Sequence, residues 1–287
     1  MNIVGQGHQS IVIADTADSV KKFYLSETEA LREQEQLSFI AIMQQDGLDL
    51  GCAISKLLEV IGAGAWRIND KTYGYCIRLE RIPGANAKQV SSRLNFQQTE
   101  ALGRDLGNIS FNLHTQTMTY RSRWKRKFTN NGKELLDHLL EDKAWQVLNE
   151  EPDRIVKAKV KAAANYLRDR YAHLNNGNTL NHRDLSLSNV LVSADGRANG
   201  LVDWSSFGLA HPSLSLYELI YEPVWPYVKS QYEQRGGSLE EDIAYAAAII
   251  HLAWAPIISK QLGIPLHESE TRDAFEAMHE KFQALTG

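Results

Sequence analysis

The stretch NHRDLSLSNVLVSADGRANGLVDW at positions 181–204 constrains this chain more than any other. Val190-Leu191-Val192 and Gly200-Leu201-Val202 are short apolar runs, and Ser193-Ala194-Asp195-Gly196-Arg197 between them has turn composition. Together they predict a β-hairpin. Such a hairpin brings Asn189, just before its first strand, close to Asp203, at the end of its second. An amide oxygen and a carboxylate oxygen are hard ligands suited to Mg²⁺. Asp184 lies five residues upstream of Asn189 on a loop and stays free to accept a proton. The spacing therefore separates a base from a metal ligand across one loop turn.

The rest of the chain falls into two parts around that hairpin. Residues 3–24 read as three short strands, 26–45 as a helix, and 52–61 and 73–82 as further strands. Ile82-Pro83-Gly84 breaks the pattern, because proline cannot continue a central strand. We place a junction there, giving an N-terminal part at 1–83 and a C-terminal part at 84–287. After it, 97–114, 134–149 and 153–174 are helix candidates, 179–203 is β again, and 213 onward is mainly helical. The expected fold class is α+β, a small β-rich lobe followed by a larger α-rich one.

Composition excludes several classes. A net charge of −4 over 287 residues offers no global basic field for nucleic acid. Two cysteines, Cys52 and Cys76, make neither a zinc pattern nor a disulfide scaffold, so a reducing, cytoplasmic setting is expected. The first ten residues lack the charge and apolar core of a signal peptide, and no run of 18 apolar residues predicts a membrane span.

Two upstream features fit a phosphate chemistry. Gly5-x-Gly7-x-x-Ser10-x-Val12 lies between strands, and its glycines would let backbone N–H groups approach phosphate oxygens. Ser19, Lys21 and Phe23 share one face of the third strand, and the small Ser19 leaves room for a flat ring beside the Lys21 ammonium. The helix that follows carries Glu29, Glu33 and Glu35 as carboxylate partners for that lysine; Glu33 shares a face with Leu37 and is favoured.

In this order the motifs His182-Arg183-Asp184…Asn189 and Asp203 resemble the catalytic and metal motifs of the protein-kinase-like fold. Val202-Asp203-Trp204, Glu80-Arg81-Ile82-Pro83-Gly84 and the Leu106–His114 helix end resemble the aminoglycoside phosphotransferase and choline kinase branch. The resemblance covers about residues 3–220 and implies a bilobal fold and an ATP- and Mg²⁺-dependent kinase. It implies Asp184 as base, Asn189 and Asp203 as Mg²⁺ ligands, and Lys21 on the α/β-phosphates held by Glu33. Gly5 and Gly7 would cover the phosphates, with Ser10 where a third glycine is usual and Val12 closing the motif. Glu80 to Ile82 would offer backbone hydrogen bonds to adenine, and His182 would brace the loop. Arg183 replaces the glycine common in small-molecule kinases, and no long activation segment follows Asp203, so Arg183 needs another partner. Ser215 stands where the branch usually has a structural aspartate.

The acceptor is not specified. Residues 120–128 hold five basic residues and no acid, suiting an anionic acceptor, while Glu218 to Gly287 holds 11 acidic and 5 basic residues, suiting a cationic one. Tyr221, Trp225 and Tyr227 could line an acceptor pocket or belong to the core. A hydroxyl-bearing small molecule is the expected partner. A protein hydroxyl is the alternative, and a nucleotide-binding scaffold is the reading from another class.

Overall fold

In the computed structural model, five antiparallel strands run through the first third of the chain in the order β1-β2-β3-β6-β5. They are β1 Ile3–Gln6, β2 Ser10–Ala14, β3 Ser19–Tyr24, β5 Leu57–Ile68 and β6 Lys71–Glu80. The structure describes residues 2–6, 10–116, 131–176, 178–263 and 266–287. β5 is longer than expected and starts later, after the two-residue β4, Ala53–Ile54. Its register shifts three times against β6, which lets it carry Gly62 at φ +94°. Asn69 and Asp70, both at positive φ, close the β5–β6 hairpin, as a tight two-residue turn requires.

Both faces of this sheet carry buried residues. Ile11, Phe23, Ile68, Tyr73 and Cys76 form a buried cluster, with Trp66 edge-on to Phe23. Helix α1, Glu27–Gln45, packs against β3, β5 and β6. Its buried stripe includes Ala30, Glu33, Leu37 and Ile40, a helical repeat with a glutamate in an apolar position.

A second sheet runs β4-β10-β9-β7, with β7 Ala85–Asn86, β9 Val190–Val192 and β10 Ala198–Leu201. β10 pairs in parallel with β4, and β7 pairs with β9. Asn86 caps the one-turn helix α2, Ala87–Val90, and also donates to the Ser188 carbonyl at 2.5 Å. On helix α3, Phe96–Thr115, Asp105 binds the Arg197 guanidinium through both oxygens. These links place 84–112 and the hairpin with the strands, so the chain divides at other points than 83/84. The two compact units are Met1–Asn112 with Leu187–Phe207, and Leu113–Ser186 with Gly208–Gly287.

The second unit is mainly helical. It contains α4 Asn131–Asp137, a π-helical segment His138–Ala144, α5 Trp145–Glu150, α6 Arg154–Asp169 and α7 Tyr171–Asn176. The single helix expected over 153–174 breaks at Arg170. After α8 Pro212–Ser215 come α9 Trp225–Gln234, α10 Glu241–Leu262 and α11 Glu268–Thr286. The α10 helix is long and apolar enough to cross a membrane, but 61% of its most apolar window is buried against its neighbours, as in a core helix. A short ladder joins β8, Thr179–Asn181, to β11, Gly208–Ala210.

Candidate active site

The hairpin forms over the expected residues. Leu201 lies opposite Val190, and the Val202 N–H donates to the Asn189 carbonyl at 3.0 Å. The half-buried Asn189 thus lies across the hairpin from the residue before Asp203. At Gly200 a Cβ would lie 2.6 Å from the Ile82 side chain, so only glycine fits this strand against the linker. Asp203 takes a left-handed conformation, φ +61°. Trp204 then anchors the chain: it is fully buried, its Nε1–H donates to the Leu201 carbonyl at 3.1 Å, and it packs on Phe207. Phe207 in turn meets Phe39 of α1. A strained Asp held by a buried aromatic is the arrangement expected where backbone strain serves a site.

Which lysine reaches this carboxylate differs from the expectation. Lys22, not Lys21, donates to Glu33 Oε2 at 2.7 Å and to Asp203 Oδ1 at 3.0 Å. Lys21 lies on the opposite face of β3, 2.7 Å from Asp15, which also takes Arg78 at 2.9 Å. Neighbouring strand residues point to opposite faces, and α1 covers the face bearing Lys22 and Tyr24. Sequence could not choose between them, because Phe23 on the Lys21 face is as buried as Tyr24 on the other. Among the three candidate glutamates, Glu33 is the one in the buried stripe, and it also accepts from the Tyr24 hydroxyl at 2.6 Å. Burial pulls the Lys22 ammonium down, but Asp203 and Glu33 outweigh it and hold it above its ordinary value. Burial pushes the Glu33 carboxyl up, against the pull of Lys22. Asp203 also accepts from the Ser205 hydroxyl at 3.0 Å, and its side chain keeps 35% exposure.

The remaining nucleotide-site candidates are scattered. Gly5 sits inside β1 rather than in a turn, and Gly7 lies outside the described residues. Ser10 is buried opposite Tyr24, and Val12 is half-buried opposite Gly5 and Lys22. Glu80 has its N–H committed to the Lys56 carbonyl, and its own carbonyl accepts the Ser55 hydroxyl. Ile82 is buried under Gly200. The basic segment 120–128 lies outside the described residues.

These observations converge with comparison to known proteins. The model of the phosphotransferase enzyme family, APH, matches residues 14–249. The chain belongs to this family. No curated protein matches the phosphotransferase. Solved structures do, at low identity. The GDP and kanamycin complex of APH(2")-IIia is 12% identical over 100% of this chain and 93% of its own, with a TM-score of 0.64. The gentamicin complex of APH(2")-IIa is 16% identical over 98% and 92%, TM-score 0.62. Macrolide 2'-phosphotransferase MphH from Brachybacterium faecium is 14% identical over 96% and 90%, TM-score 0.57. The fold is therefore kinase-like, a β-sheet N-terminal region with a helical C-terminal region.

In the helical unit of the phosphotransferase, the loop of Asp184 is braced from within. His182 is 2% exposed, and Arg183, at φ +63°, donates to Glu134 at 2.9 Å. Arg183 thus has its partner on α4. His114 is hydrogen-bonded to Asn181 and, at 2.7 Å, to the Tyr232 hydroxyl. Burial pushes His114 down to about 4, keeping the imidazole neutral. Ser215 makes no long-range brace; its hydroxyl donates to the Pro212 carbonyl within its own turn.

A buried polar cluster adjoins Asp184, and sequence reading identified only part of it. Glu218 adjoins Asp184 and accepts from the Tyr217 hydroxyl at 2.7 Å. Lys143, in the π-helical segment, lies 3.1 Å from both the Tyr217 hydroxyl and His251 Nδ1, and 4.6 Å from the Trp254 ring. π-helical turns are often found at functional positions. Burial would raise Glu218, yet His251 and Lys143 hold it below the usual carboxylate range. A lone lysine in an ordinary helical pattern carried no signal that would separate it from a surface residue. Trp225, by contrast, is a core residue bonded to Glu241 at 3.2 Å.

Proposed function

We propose that the phosphotransferase moves the γ-phosphate of ATP to a hydroxyl of a small molecule, with Mg²⁺ as the working metal. The observation that carries this reading is the Lys22–Glu33–Asp203 constellation, with Lys22 and Glu33 buried, next to Asn189 in the hairpin. An ammonium pinned between two carboxylates offers its charge at a fixed place, as phosphate binding requires. Asn189 and Asp203 are an uncharged and a charged hard oxygen donor, a set that fits Mg²⁺, and Asp203 is half open to take one up. When bound, the metal would neutralise charge on the transferred group.

The chain's own residues supply the rest. Lys22 would hold nucleotide phosphates, with Glu33 and Tyr24 fixing it. Asp184 would orient the acceptor hydroxyl and take its proton as the oxygen attacks. Lys143 would offset the negative charge of the neighbouring Asp184 and Glu218 carboxyls. Gly5, Gly7, Ser10, Val12, Glu80 and Ile82 belong to the proposed nucleotide site. A small acceptor is favoured over a protein because Arg183 is engaged by Glu134 rather than left to read a phosphorylated loop. Among the similar solved structures one holds kanamycin with GDP and another streptomycin with ATP, so the base of the nucleotide needs testing as well. A cytoplasmic site of action is part of the reading, supported by the unpaired Cys52 and Cys76.

The test is nucleoside diphosphate release by purified protein with Mg²⁺ and either ATP or GTP. The acceptor panel is aminoglycosides, macrolides, choline-like alcohols and amino-acid alcohols. One acceptor class should stimulate release, and Asp184→Asn or Asp203→Ala should lower it by about 10²-fold or more. A full rate in Asp184→Asn would overturn the assignment of the base. Labelling of a protein without stimulation by any compound would transfer the reading to a protein acceptor.

A further inference from the structure

We propose that His173, His211 and Glu240 form a transition-metal site, best matched to Zn²⁺, in the helical unit. The three come from separate segments: His173 on α7, His211 just after β11, and Glu240 at the N-cap of α10. Glu240 Oε1 lies 3.0 Å from His173 Nε2 and 3.3 Å from His211 Nε2, and one ligand atom from each residue falls within 4.8 Å of the others. Zinc bonds of about 2.0–2.2 Å at a tetrahedral angle set neighbouring ligand atoms about 3.4 Å apart. Two of the three separations, 3.0 and 3.3 Å, are close to that size, and the third lies within 4.8 Å. Two imidazoles with one carboxylate is a zinc ligand set, unlike the all-oxygen set at Asn189 and Asp203.

The carriers are fixed where fixing matters. The Glu240 N–H donates to the Ser213 hydroxyl at 2.8 Å, and the Ser215 N–H to the His211 carbonyl at 3.1 Å. His211 is 6% exposed, so its ring is held on the buried side of the site. The His173 and Glu240 side chains are open to solvent, giving an ion an entry path and room for water as the fourth ligand. Asp242 adds negative potential at His211.

The ion would tie α7, the end of β11 and the start of α10 into one staple. β11 pairs with β8 through Ala210 and Thr179, and β8 runs directly into His182 and Asp184. The staple would thus steady the strand that presents the base without entering the chemistry.

The experiment uses the full chain in millimolar Mg²⁺, so that the oxygen site does not compete, equilibrated with micromolar Zn²⁺ and dialysed. Metal analysis should find about one zinc per chain, and Tm should rise by several degrees over chelated protein. His173→Ala and Glu240→Gln, both at exposed positions, should each lose the bound zinc and the Tm rise, with Tm in chelator unchanged. Absence of zinc in the wild type, or equal zinc and an equal rise in both variants, would overturn the proposal.

Discussion

Lys22→Met removes a charge from a place where its partners cannot find water. Glu33 is 1% exposed, so without Lys22 its carboxylate keeps only the Tyr24 hydroxyl. Breaking a buried pair by deleting one partner costs about 3–5 kcal/mol. For a chain of this size that is a fall in Tm of about 5–8 °C. Asp203 adds little to this cost, because its partly exposed side chain can be hydrated. Lys21→Met is the matched control. Lys21 is 32% exposed and its partner Asp15 keeps Arg78, so the loss should stay below about 1 kcal/mol. The double variant Lys22→Met/Glu33→Met replaces the pair by apolar groups of similar size and should recover most of the stability. It should not recover nucleotide binding. Thermal unfolding and titration with a fluorescent nucleotide would measure both properties on all four proteins. The reasoning fails if Lys21→Met abolishes nucleotide binding while Lys22→Met retains it, or if the double variant is as unstable as Lys22→Met.

Two further outcomes follow from burial. His114 takes a proton near 6.5 when unfolded and at about 4 when folded, so the unfolded chain binds more protons between those values. Stability should be whole above pH 6.5 and fall by up to about 1.4 kcal/mol per unit toward pH 4; urea unfolding of His114→Gln should show a shallower slope, and an unchanged slope would remove His114 from the account. Burial pushes Cys52 up to about 12 and Cys76 to about 11, so neither thiol should react with a disulfide reagent at pH 7 until the chain unfolds, when two should; rapid labelling of the native protein would contradict the packing around them.

Local patterns carried what the sequence determined alone. The hairpin of 190–201 depends on two short apolar runs and a turn with Gly196, all within about a dozen residues, so its strands and its end at Asp203 could be read directly. The same locality made the β-then-α order legible. Choices between near-equivalent residues belonged to the tertiary structure. Lys21 and Lys22 differ only in which face of β3 meets α1, and both faces are buried. Glu33 was one of three candidate glutamates until the α1 stripe put it against the sheet. The zone around Asp184 joins Lys143 to His251 across 108 positions, and the proposed zinc ligands His173 and Glu240 are 67 apart. No spacing rule links residues so far apart, because their meeting depends on how helices pack.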